Sequence, residues 1–96
     1  MSAYLIVDLA IEDVAAYETY KAEAPALIAR HGGRYLVRGG AHEVLEGSWT
    51  PTRLVLLCFP DRAAIDAFMA DPDYAPLKAL RARVARTDMV AVEGVA

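Results

Sequence analysis

The segment Arg53 to Pro60, RLVLLCFP, constrains the fold of this chain more than any other. No charged or amide side chain interrupts its interior, so the alternation of a half-exposed strand is missing. Its six-residue apolar centre, Leu54 to Phe59, is short for a helix and far below the roughly 20 residues that cross a bilayer. It reads as a central strand covered on both faces. Residues 4–11, YLIVDLAI, read the same way. Leu5, Val7, Leu9 and Ile11 share one face, and Tyr4, Ile6, Asp8 and Ala10 share the other, which is also mostly apolar.

The remaining segments fall between and around these two strands. Asp13 is placed to cap a helix over residues 14–31, with acidic residues gathered in its first turns. The helical period runs through Val14, Tyr17, Lys21, Ala24, Ile28 and His31, with Tyr20 and Leu27 beside it. Pro25 removes one backbone donor from this pattern and predicts a kink or restart near Glu23–Ala24. Gly32-Gly33 ends the helix. Residues 34–38, RYLVR, form a short strand that stops at Gly39-Gly40; residues 42–46, HEVLE, are expected to continue it after a bulge or bend. Gly47 to Thr52 is a turn-rich loop. Asp61 caps a second helix, Arg62 to Ala70, which buries Ile65, Phe68 and Met69 and breaks at Asp71-Pro72. Pro76 opens a third, with Leu77, Leu80 and Val84 as its apolar stripe. Arg86 to Val95 reads as the last strand.

The order β-α-β-β-α-β, with a short extra helix, is the ferredoxin-like pattern of the α+β class, in a single domain over residues 1–96. Helices cover only one face of such a sheet, yet both long strands are apolar on both faces. A second copy packed sheet to sheet, as a symmetric homodimer, is the economical cover. The net charge of −3 and isoelectric point near 5.2 argue against a nucleic-acid partner. The N-terminus lacks the basic region and long apolar stretch of a signal peptide, and Cys58 has no cysteine to pair with. These features predict a cytoplasmic protein without a membrane partner.

The stretches AYLIVDL, AYETYKAEAPALIARHGGRYLVRGG, RLVLLCFPDR and DPDYAPL together resemble the domain of unknown function 1330 family, within the dimeric α+β barrel superfamily. The resemblance covers nearly the whole chain and is most specific at APALIARHGGRYLVRGG followed by EVLEG. It implies a ferredoxin-like protomer, an antiparallel four-stranded sheet and a barrel made by two sheets. It implies no particular chemistry, since superfamily relatives include cofactor-independent monooxygenases, decarboxylating and haem-degrading enzymes and binding proteins.

No phosphate-binding glycine loop, nucleophile elbow or H-E-x-x-H motif is present, and no cofactor is expected. His31, at a helix end, serves either as a capping histidine bonded to backbone or, as a neutral ring, as a general base. Arg38 and Arg53 lie on strands expected to be buried, where a guanidinium must be paired or must meet an anion. Glu46, Asp8 or a partner chain are the pairing candidates, and Arg38 is the better candidate for an anion clamp. Tyr17 and Tyr20 either pack their rings or aim a hydroxyl into a cleft between helix and sheet. Trp49 suits an interface or the roof of a pocket. His42, Glu43 and Glu46 do not make a metal site, because His42 and Glu46 stand about 13 Å apart on a strand. Cys58 reads as a small core residue, and Arg62, Lys78, Arg81, Arg83 and Arg86 as a solvated helix face. The functional expectation is a small, anionic or neutral organic ligand in a helix–sheet cleft lined by Tyr17, Tyr20, His31, Arg38, Trp49 and Arg53. The alternative is a cofactor-independent enzyme on a small organic acid or phenol, with His31 as base and Arg38 as clamp.

Overall fold

In the computed structural model, β1 (Ala3–Ile11) leads into α1 (Val14–Arg30), and β2 (Arg34–Arg38) is followed by β3 (Leu54–Phe59). Then come α2 (Arg62–Ala70), α3 (Ala75–Val84) and β4 (Ala85–Glu93). The structure describes residues 1–95, and Ala96, the last residue of the expected domain, lies outside them. The four strands order as β2-β3-β1-β4, every neighbour antiparallel. The two segments without polar alternation are the two central strands, as their burial demands.

Register assigns the faces. Leu5 pairs with Leu57 and Val7 with Val55, and these four are buried towards the helices with Leu9 and Phe59. Ile65 and Phe68 of α2 and Ile28 of α1 complete that core. A side chain of this size contributes about 1.5–3 kcal/mol when fully buried. The other face carries the row Val90, Ile6, Leu56 and Val37 across all four strands. Val90 is 60% exposed and Ile6 half-buried, so this apolar face has no helix over it.

The helix ends follow local chemistry. Asp13 accepts from the Ala16 N–H at 3.0 Å and Asp61 from the Ala64 N–H at 2.8 Å, each a cap of about 1 kcal/mol. The first turn of α1 holds no acidic residue, and Val14 stays exposed, so its stripe begins at Tyr17. After His31 the chain turns at Gly32, whose φ of +78° is left-handed. Gly32 and Gly33 donate their N–H groups to Ala29 and Ile28 carbonyls, which closes the helix in a Schellman motif.

Two expectations need correction. α1 runs through Pro25 as one helix of 17 residues. Proline leaves the carbonyl four residues earlier, on Lys21, without its usual donor. The Arg38 Nη2 group donates to that carbonyl at 2.8 Å, which makes good the loss without a restart. Residues 42–46 are not a strand; they are irregular and exposed. Gly39, at φ +70°, turns the chain away after Arg38, where the partner β3 begins. The bulge sits earlier, between Tyr35 and Val37. Among the described residues, no helix is long and apolar enough to cross a membrane.

Candidate ligand cavity

A cavity lies between the helices and the helix-side face of the sheet. Its enclosed part is about 30 Å3 in volume, and the rest of its space opens to solvent. That enclosed part is room for one or two waters. Its walls are core residues such as Leu5, Val7, Ile28 and Phe68.

Four of the chain's five tyrosines, Tyr17, Tyr20, Tyr35 and Tyr74, line it beside Phe68. Tyr17 and Tyr20, one turn apart on α1, stack with ring centroids 5.5 Å apart. The Tyr20 and Tyr74 hydroxyls meet at 2.6 Å, one donating to the other. Tyr74 is fully buried and packs its ring on Phe68 at 4.2 Å. Burial raises the pKa of Tyr20 far above the usual tyrosine range, and the neighbouring Tyr74 raises it further. Burial also raises Tyr17 and Tyr35, opposed by Arg53 beside the first and Arg38 beside the second. All three therefore stay protonated at neutral pH and act as hydroxyl groups.

The basic lining is Arg38, Arg53, Arg81 and Lys21, and no acid lines the cavity. Arg38 spans the mouth, its guanidinium 4.6 Å from the Tyr35 ring centroid while it donates to Lys21. The Nε of Arg53 is buried without an acceptor. Its guanidinium passes over Gly39, where a Cβ would collide with it. Arg81 is only 7% exposed, and its Nε also has no acceptor. Among the described residues, no carboxylate makes an ion pair with any of these three arginines.

The structure thus brings Tyr17, Tyr20, Arg38 and Arg53 to one cavity, and places His31 and Trp49 elsewhere. The His31 ring donates to the Asp71 carboxylate at 2.8 Å, not to backbone, and lies edge-on to Phe68 at 6.1 Å between centroids. Arg30 joins the same group, donating to Asp71 at 3.1 Å and to Asp73 at 2.8 Å. His31 and Arg38 do not converge on one cavity, because Asp71 holds the ring at the end of α1. Trp49 donates its indole N–H to Asp8 at 3.2 Å, on the sheet face away from the helices. Asp8 also accepts from the backbone N–H groups of Thr52 and Arg53, so it anchors the loop and does not pair with the Arg53 guanidinium. Burial opposes ionisation of Asp8, but these donors outweigh it and hold its carboxyl below the usual range. His42 donates to the Pro51 carbonyl at 2.8 Å.

Arg81, Tyr74 and Tyr35 were not among the expected site residues. Arg81 belongs to no solvated face: Tyr74, Leu77, Arg81 and Val84 follow helical spacing and are all buried. That spacing was the available signal.

An antiparallel sheet in the order β2-β3-β1-β4, with helices on one face and a cavity beneath them, makes this a ferredoxin-like α+β protein. The chain belongs to the family described as Domain of unknown function (DUF1330), whose model matches residues 2–95. Among solved structures it is similar to a protein of unknown function from Rhodopseudomonas palustris, at 16% identity and a TM-score of 0.79, covering 99% of this chain and 83% of that one. It is similar to SnoaB, a cofactor-independent oxygenase from Streptomyces nogalater, at 14% identity and a TM-score of 0.68, covering 97% and 92%. It is also similar to a dimeric ferredoxin-like protein of unknown function from Jannaschia sp. CCS1, at 21% identity and a TM-score of 0.65, covering 98% and 100%. At these identities the likeness is one of fold. No curated protein matches the sequence.

Proposed function

We propose that the protein binds a small organic molecule in the helix–sheet cavity, as a cytoplasmic homodimer closed sheet to sheet. The observation that carries this reading is a cavity ringed by tyrosine hydroxyls and arginines, with no acid in its lining. A buried guanidinium N–H left without an acceptor is costly, and a bound ligand offers the missing acceptor. The dimer reading rests on the apolar row Val90, Ile6 and Leu56, and on the dimeric state of the Jannaschia protein. The cytoplasmic reading rests on Cys58 as a free, buried thiol.

The second reading, a cofactor-independent enzyme, has the likeness to SnoaB beside it. His31 as its base has less support, since the ring is committed to Asp71 away from the cavity. Proton transfer needs hydrogen-bond reach.

An NMR titration of the protein with a pool of small organic molecules tests the binding reading. Shifts clustered on the rings of Tyr17, Tyr20, Tyr35 and Tyr74 are expected. Shifts confined to the open sheet face, or none across the pool, would overturn it. Sedimentation of a species of 10.4 kDa at micromolar concentration would remove the dimer.

A further inference from the structure

The polar groups of the cavity are unbalanced in a way that names the ligand. Every side-chain nitrogen in its lining belongs to arginine or lysine, and every side-chain oxygen to tyrosine. Arginine and lysine only donate. In the Tyr20–Tyr74 pair, one hydroxyl proton closes the 2.6 Å bond and the second is left for another acceptor. The Nε–H groups of Arg53 and Arg81 are buried and have none. Tyrosine hydroxyls, with that of Tyr17 hydrogen-bonded to the Arg53 side chain, are the side-chain acceptors in the lining; no carboxylate, amide, serine or threonine hydroxyl, or imidazole stands there. The chain has 13 acidic residues and a net charge of −3, yet the charged side chains in the lining are all basic, and among the described residues Lys21 alone of them meets a carboxylate, that of Glu18.

Beyond these donors the walls are hydrocarbon and aromatic, with Leu5, Val7, Leu57 and Phe68 among them. A ligand that fits must bring acceptors, negative charge and an apolar body, and must bring few donors of its own. From this we infer that the cavity, its lining side chains moving apart to admit the ligand, takes a small hydrophobic monocarboxylate, its carboxylate received by Arg81 and Arg53 beside the Tyr20–Tyr74 hydroxyls and its hydrocarbon part against the sheet. This inference rests on the cavity reading above and specifies the class of molecule it serves.

Arg81 gives the sharpest test, because the structural and ligand-binding roles predict opposite signs. A guanidinium that merely holds the fold together makes Arg81→Met destabilising. A buried cation waiting for an anion makes the same variant more stable without ligand, by roughly 5 °C in Tm, since its desolvation is no longer uncompensated.

The experiment titrates the wild-type protein with benzoate, benzamide and benzylamine, and with isobutyrate and isobutyramide, following tyrosine ring signals and Tm. The carboxylates are expected to bind, and the amides and the amine to fail. Arg81→Met and Arg53→Met should each weaken benzoate roughly 10- to 100-fold, and an Arg81→Met variant less stable than the wild type without ligand would overturn the role of Arg81 as receiver of the carboxylate. Binding of amides as well as carboxylates would overturn the monocarboxylate class and leave the cavity reading standing. Benzoate binding that survives both arginine substitutions would also overturn the class. Silence of all five probes, together with no shift from the wider pool, would overturn the cavity reading with it.

Discussion

Two clusters of charge sit near Phe68 and are built on opposite plans. At the end of α1, Arg30 and His31 share Asp71 and Arg30 also donates to Asp73, so each has its acceptor at hydrogen-bond distance. In the cavity, Arg53 and Arg81 are more enclosed and have Nε groups with none. The first cluster is what a fold does with charges it needs only to place: it pairs them where water also reaches. The second leaves two buried Nε–H groups without acceptors and, among the described residues, no carboxylate against either guanidinium, an arrangement that opposes folding. The contrast assigns a structural role to His31, the most conspicuous titratable group in the sequence. It directs attention to an arginine that sequence inspection puts in solvent.

The largest effect expected bears on what the two clusters share. Phe68 is 1% exposed and touches Phe59, Tyr74 and His31 with its ring. Phe68→Ala should cost about 3–5 kcal/mol, from lost burial and the cavity left behind. Urea unfolding measures it. A cost below about 1 kcal/mol would mean that the wall between the clusters is not the packed partition described.

A smaller effect isolates the mouth of the cavity. Pro25→Ala returns an N–H to the helix, where it competes with Arg38 for the Lys21 carbonyl. Removing an interior proline should stabilise by about 1–2 kcal/mol after the lost Arg38 bond and the more flexible unfolded chain are counted. The Arg38 guanidinium should become more mobile, as read from its side-chain NMR relaxation. A destabilised variant would show that Pro25 does more than free one carbonyl.

These two regions also explain which parts of the molecule were legible beforehand. The central strands were readable because apolar runs of this length have few other uses, and the helix ends because Asp13, Asp61 and Gly32 act on their own neighbours. Contacts across the fold were not readable. The Lys21 carbonyl is relieved from 17 positions away, and the His31 ring finds Asp71 at a separation of 40. Neither pairing leaves a trace in local periodicity, so the kink at Pro25 and the backbone-bonded His31 were reasonable local solutions that a tertiary contact displaced. Arg81 is a different case. Its spacing from Tyr74, Leu77 and Val84 was visible, but Leu80 drew the stripe towards itself and residue type outweighed position. Residues 42–46 have the composition of a strand but no neighbour to pair with once Gly39 turns the chain.

The pH dependence of stability should separate the clusters by sign. The Asp71 carboxyl is held below its ordinary 3.8, first by the hydrogen bond from His31 and then by the Asp73 backbone N–H. A carboxyl depressed in the fold contributes stability above its unfolded value, and loses it as pH falls below 3.8 towards the folded value. Tyr20 is shifted the other way, above its ordinary 10.0, by burial and by Tyr74. Its contribution is complete below pH 10.0 and is lost as pH rises beyond that, where the unfolded chain ionises and the fold keeps its proton. Asp71→Asn should flatten part of the acid limb, the remainder belonging to Asp8, and leave the alkaline limb intact. Tyr20→Phe should do the reverse. Either variant flattening both limbs in denaturant titrations would mean that the clusters are coupled through Phe68.

The smallest effect closes the comparison. The Arg30 side chain is 51% exposed, so its two bonds to aspartate compete with water and salt. Arg30→Met should change Tm little at physiological ionic strength, and that little should disappear at high salt. The same substitution at Arg81 should raise Tm, with no such dependence on salt, because bulk ions do not reach a group that is 7% exposed. One chemical change made in two places therefore separates an arginine placed for the fold from one placed against it. If Arg30→Met proved the more consequential of the two, the surface cluster would be the site to explain, and the unpaired cations of the cavity would lose their claim to a ligand.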